Sequence, residues 1–184
     1  MAASAPAPGN EVATIEARGK FCHDDVCFGG LDLVPLLLRL YLTINIKLQL
    51  LNQYLNGGNY VPIIEDIEQT IRVAIKAIKA YDLSFIDHIT GKIWIVAWIW
   101  HSMVISVATY FSKWVDRDDS KEVIIQISKI DLALSDCLEA IVDLGGIFGG
   151  FVAGCTKLFA KSNLALLRKV KFGSILNILK PSDT

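Results

Sequence analysis

Between Lys92 and Lys113 the chain runs for twenty residues, IWIVAWIWHSMVISVATYFS, without an aspartate, glutamate, lysine or arginine. As an α-helix this segment is about 30 Å long, the thickness of a bilayer's hydrocarbon core. A helix that is apolar all round must be surrounded, by protein or by lipid. Trp94, Trp98 and Trp100 cluster toward one end, Tyr110 and Trp114 mark the other, and lysines flank both. Interfacial aromatics and snorkelling bases are arranged in this way about a membrane span. Three fates are open to residues 93–112: the buried centre of a bundle with His101, Ser102 and Ser106 satisfied internally, a permanent span, or a helix buried in solution that inserts on contact with a membrane.

The neighbouring segments can supply a wrapping shell. Leu31 to Leu55 has Asp32 and Pro35 where a first helical turn accepts them and stops at Asn56-Gly57-Gly58-Asn59, although Leu40 to Leu50 alternates enough to keep a strand reading open. Pro62 to Tyr81 is amphipathic, with Ile64, Ile67, Ile71, Ala74, Ile75 and Ile78 at helical spacing and Glu68 four residues before Arg72. Residues 116–143 form a second amphipathic helix, capped by Asp118, Asp119 or Ser120, with Val123, Ile127, Ile130, Leu134, Cys137, Leu138 and Ile141 on one stripe. The expected fold is all-α: a bundle of five or six helices around a central apolar helix at 93–112. Residues 1–30 form a flexible tail and cysteine arm, and residues 31–184 a single helical domain. A chain of 184 residues, 53% of them apolar, has ample mass for one core.

Charge is sharply polarised. Residues 116–143 carry eight acids and three bases, a net of -5, whereas Leu144 to Lys180 carries six bases and no acid, a net of +6. The basic region begins with LGGIFGGFVAGCT, where Gly146 and Gly150 stand four apart in apolar company, a spacing that permits close helix approach in membranes or a turn and tight packing in a bundle. It continues as an amphipathic helix bearing Lys157, Lys161, Arg168, Lys169, Lys171 and Lys180, suited either to an anionic lipid surface or to lying against the acidic helix.

Four cysteines fit two disulfides in an oxidising compartment. If the chain turns back at Gly145-Gly146, Cys137 and Cys155 lie at one height of a helical hairpin and can bridge, leaving Cys22 with Cys27 as a local loop. The alternative clips the Cys22 to Cys27 arm onto both helices. Ala2-Ala3-Ser4-Ala5 followed by Pro-Ala-Pro suits a mature secreted N-terminus as well as it suits a polar tail. Around His23 the spacing C-x4-C is uncommon for zinc and no second Cys/His pair completes a site, so no metal or cofactor is expected.

No catalytic motif is present: no G-x-S-x-G, no H-E-x-x-H, no phosphate loop and no dinucleotide fingerprint. Asp87-His88 reads as a surface loop. A net charge of -1 and pI near 6.3 argue against a nucleic-acid binder. The expectation is a non-enzymatic, secreted, extracellular, membrane-active protein, a small toxin or effector, whose basic helix meets lipid before the apolar helices insert. Two alternatives stand beside it. One is a carrier or surface binder of a hydrophobic ligand such as a fatty acid or sterol, with His101 or Tyr110 orienting the polar head; the other is a structural, self-assembling protein that forms a homo-oligomer.

Overall fold

A computed structural model describes residues 20–29, 32–81, 92–117, 120–145 and 150–180. Asp87-His88, Gly146 and the N-terminal tail lie outside the described residues. The described chain is mostly helical, with seven helices and one two-stranded hairpin, where the sequence predicted five or six helices; residues 40–50, for which a strand reading stood open, are helical.

The hairpin pairs β1 (Phe21–His23) with β2 (Val26–Phe28) antiparallel, and its register sets Cys22 directly opposite Cys27. Cα atoms only 4.0 Å apart let the two sulfurs form a disulfide across the turn. Phe28 is fully buried, and His23 reaches across to Asp66 on the second helix.

Helix α1 (Leu33–Leu51) is followed by a 3-10 turn at Asn52–Tyr54, and Gly57 and Gly58, at φ +134° and +102°, reverse the chain where a side chain would be strained. Helix α2 (Val61–Lys79) accepts Pro62 in its first turn, where the missing N–H has no intrahelical partner to lose. Its predicted stripe, Ile64 to Ile78, is buried. Helix α3 (Lys92–Ser112) matches the charge-free segment, and α4 (Ser120–Asp143) buries every residue of its predicted stripe. Gly145, at φ +76°, ends α4 and donates to Val142 O at 3.0 Å.

The basic region departs from expectation. Instead of one amphipathic helix it folds as α5 (Phe151–Leu158), α6 (Lys161–Lys169) and α7 (Gly173–Leu179). Lys171 takes a left-handed conformation at φ +57°, which stops α6. A new helix then starts because the buried carboxylate of Asp131 on α4 accepts from Ser174 N at 2.9 Å and Ile175 N at 3.0 Å.

The helices close a ring. α2 packs between α1 and α4, α1 against α3, α3 against α5 and α6, and α7 against α4. Lys92 at the start of α3 pairs with Asp32 at the start of α1, at 3.6 Å, so these two helices run side by side in one direction. Arg117, just beyond α3, donates to Tyr54 O and Leu55 O at 3.2 and 3.1 Å and ties the far end of α3 to the turn after α1.

Two expectations about the cysteines are corrected. Cys137 and Cys155 are free, buried thiols, so there is one disulfide rather than two, and the arm is not clipped to either helix. The equal-height argument assumed α5 folded back along α4; α5 instead makes more of its contacts with α3. Burial pushes both thiols up to about 12, which leaves them unreactive at neutral pH.

Candidate lipid-contact surface

Although nearly uniform in sequence, α3 is unequally covered. Trp100 is fully buried with its indole N–H donating to Leu134 O at 3.0 Å, and Trp114, beyond the helix end, is buried edge-on against Tyr60 at 5.1 Å under the Arg117 guanidinium. Those two indoles belong to the core and do not form part of an aromatic belt. Trp94 and Trp98, by contrast, are 56% and 58% exposed, with Ile95 exposed beside them. Large aromatics left this open are costly in water unless something covers them. Tyr110 is half-buried, with Lys113 Nζ 5.9 Å from its ring centre.

Three contacts fix how the basic segments run along this helix. Trp94 borders Gly154 on α5; His101 meets Phe159, between α5 and α6, with ring centres 4.6 Å apart; Lys169 at the end of α6 pairs with Asp116 at 2.9 Å. The chain from 154 to 169 therefore follows α3 from its first turn to beyond its last. Exposed Lys157, Lys161, Arg168 and Lys169 border it. Of the six predicted bases, these four are strung along the length of α3. Lys171 sits at the α6–α7 turn, and Lys180 joins Glu139 and Asp143 in an open groove of about 460 Å3 beneath α7. Among the described residues Lys157, Lys161, Arg168, Lys171 and Lys180 make no ion pair, so direct pairing between the basic region and residues 116–143 is limited there to Lys169 with Asp116.

Along the basic flank, Trp94 overhangs a smaller groove of about 200 Å3 whose lining includes Ala97, Gly150, Ala153, Gly154 and Lys157. Gly150, half of the predicted glycine pair, lies in this groove just before α5. His101 stacks on Trp98, ring centres 5.5 Å apart, and is held between it and Phe159. A second apolar surface lies on α1, where Leu38, Leu42, Ile46 and Leu50, each four residues from the last, are exposed. Both α1 with its 3-10 extension and α3 are long and apolar enough to cross a membrane; a third of the first and half of the second is buried within the protein.

Elsewhere, His23, Asp24 and Asp66 bring ligand atoms within 4.8 Å of one another. Lys47 already holds the Asp66 carboxylate, and both nearby thiols are spent in the disulfide. Burial alone would raise Asp66, but hydrogen bonds and charge from Lys47 and His23 outweigh it and hold the carboxyl below its usual 3.8. This cluster clamps the hairpin to α1 and α2.

The sequence reading missed Asp131 as a cap, although an acid between Ile127 and Leu134 on an otherwise apolar stripe is a detectable signal of a buried partner. It also missed the Asp66 clamp, whose three members lie far apart along the chain.

No family model, curated protein or solved structure matches this chain.

Proposed function

We propose that this is a secreted protein that docks on anionic membranes through the uncovered first turns of α3 and the basic α5–α6 flank. In this reading α3 is held with α1 on one side and α5 and α6 on the other, and part of its surface is left for lipid. The observation that carries it is the pair of exposed indoles, Trp94 and Trp98, on a helix that contains no acid, with Lys157 of α5 in the groove beside Trp94.

Stable attachment to a bilayer generally takes two signals, because one apolar anchor alone binds marginally. Trp94, Ile95 and Trp98 supply the first. Lys157, Lys161 and Arg168 supply the second, at about 1 kcal/mol for each base near an anionic surface. The disulfide of the N-terminal arm is in keeping with an oxidising, extracellular compartment. A second reading, self-assembly, is favoured by the exposed ridge of Leu38, Leu42, Ile46 and Leu50.

The test uses oxidised full-length protein and dye-loaded vesicles with and without phosphatidylglycerol. Co-sedimentation is expected only with the anionic vesicles, and the Lys157→Gln, Lys161→Gln, Arg168→Gln triple variant is expected to bind about a hundredfold more weakly. Dye release distinguishes insertion of the apolar helices from surface attachment. Equal binding to neutral vesicles, or none to either, overturns the reading; concentration-dependent association without vesicles supports self-assembly.

A further inference from the structure

We infer that the groove between the first turns of α3 and helix α5 seats one acyl chain of an anionic phospholipid, with the lipid phosphate at Lys157. This assignment rests on the membrane reading above and names the ligand of that same surface.

Three observations carry it. The first is shape: the groove holds about 200 Å3, below the roughly 300 Å3 at which sites for whole drug-sized ligands begin, so it suits one chain rather than a sterol or a complete lipid. From Gly150 to Lys157 the α5 wall rises about 10 Å, enough for the upper part of a chain lying along the helix.

The second is the lining. Ala97 and Phe151 are buried beneath it, Ala153 and Gly154 keep its side low, and the Trp94 ring forms an exposed rim. A Cβ on Gly154 would come 3.8 Å from that ring, an ordinary contact, so the wall meets Trp94 there without strain. An indole at a wet rim above an apolar slot is in the setting that tryptophan adopts at the headgroup level of a bilayer.

The third is charge. Both walls are free of carboxylates, since neither residues 92–112 nor residues 144–180 contain an aspartate or glutamate. Lys92 is turned to Asp32 on α1, which leaves Lys157 as the cation at the groove. Its ammonium has no ion-pair partner among the described residues, and nothing in either wall repels an anion. A ligand with an apolar tail and an anionic head matches all three features, and the bilayer surface of the proposed function presents it in that orientation.

The experiment uses vesicles of phosphatidylcholine containing phosphatidylglycerol whose acyl chains are brominated, with tryptophan fluorescence read as the difference between the protein and its Trp94→Phe variant. Bromine is expected to quench most of the Trp94 signal. Ala153→Leu, at an exposed helical position, and Gly154→Phe are each expected to fill the groove and remove this quenching, compared at vesicle concentrations that give equal bound fractions, while helix content stays near that of the parent. Lys157→Gln is expected to weaken binding about fivefold. The inference is overturned if the protein co-sediments but both filled variants are still quenched, or if brominated phosphatidylcholine alone quenches equally well. It is also overturned if a free brominated fatty acid, without vesicles, quenches Trp94 as strongly, which would make the ligand a soluble acid. Failure to co-sediment at all overturns the membrane reading and the chain assignment with it, an outcome distinct from binding without quenching.

Discussion

The α2–α4 side of the molecule is built from two charged amphipathic helices and the α3–α5–α6 side around the charge-free segment 93–112, and the two end in opposite states. On the first, the predicted stripes of α2 and α4 are buried, Arg72 pairs with Asp136 between the helices, and Glu68 supports the same arginine at 3.9 Å. On the second, two tryptophans stand exposed, and Lys157, Lys161 and Arg168 have no carboxylate partner among the described residues. A helix pair whose apolar stripes and charges answer each other needs nothing further. A surface with unmet apolar area and unmet charge of one sign is where a partner adds free energy.

Substitutions along α3 give the sharpest test of this contrast. Trp100→Ala removes a fully buried ring and its hydrogen bond and is expected to cost about 4 kcal/mol in denaturant unfolding. Trp98→Ala, two residues away, is expected to change stability by no more than about 0.5 kcal/mol while weakening vesicle binding. Comparable losses of stability for the two would show that α3 is covered all round and would erase the contrast.

A smaller effect is expected at the junction where the basic region is fastened to the acidic helix. Asp131→Ala leaves two backbone N–H groups of α7 without their acceptor and should cost about 2 kcal/mol. Amide exchange should show α7 opening before α2 and α4 do. Uniform acceleration across all helices would instead make α7 part of the central cooperative unit.

The smallest expected effect is a pair of opposite pH slopes. Asp66 lies below its usual 3.8, so its share of stability is complete above that value and is lost as pH falls through the lower folded-state value. Asp131 is raised by burial, which outweighs the help of Ser174 and Ile175, so stability declines as pH rises from 3.8 through its raised value. Stability measured against pH for Asp66→Asn and Asp131→Asn should remove one slope each. Loss of the same slope in both would refute the assignment.

Much of this was legible in the sequence. The stripes of α2 and α4 are clear because isoleucines recur at helical spacing among charged residues, and such a pattern has one phase that buries them together. Lys157, Lys161, Arg168, Lys169, Lys171 and Lys180 read as one basic group in the sequence, and the Cys22 to Cys27 loop was one of two pairings left open there. The three-helix break at the C-terminus was not legible. Nothing local stops the helix at Lys171, and the acceptor that starts α7 comes from Asp131, forty-three residues away. The bridge proposed between Cys137 and Cys155 failed for a related reason: it required a turn geometry that the packing of α5 against α3 does not provide.

By itself the sequence determined that residues 93–112 must be surrounded, that acid and base are segregated along the chain, and that two amphipathic helices would supply a core. Which side of α3 is covered was decided only in three dimensions. A helix apolar on every face carries no phase, and hydrophobic attraction has no direction, so periodicity could not say that Trp100 would be buried and Trp98 left exposed. That choice was made by the neighbours: α1 alongside, Leu134 of α4 accepting the Trp100 indole, and α5 and α6 approaching from the other flank without reaching over the first turns.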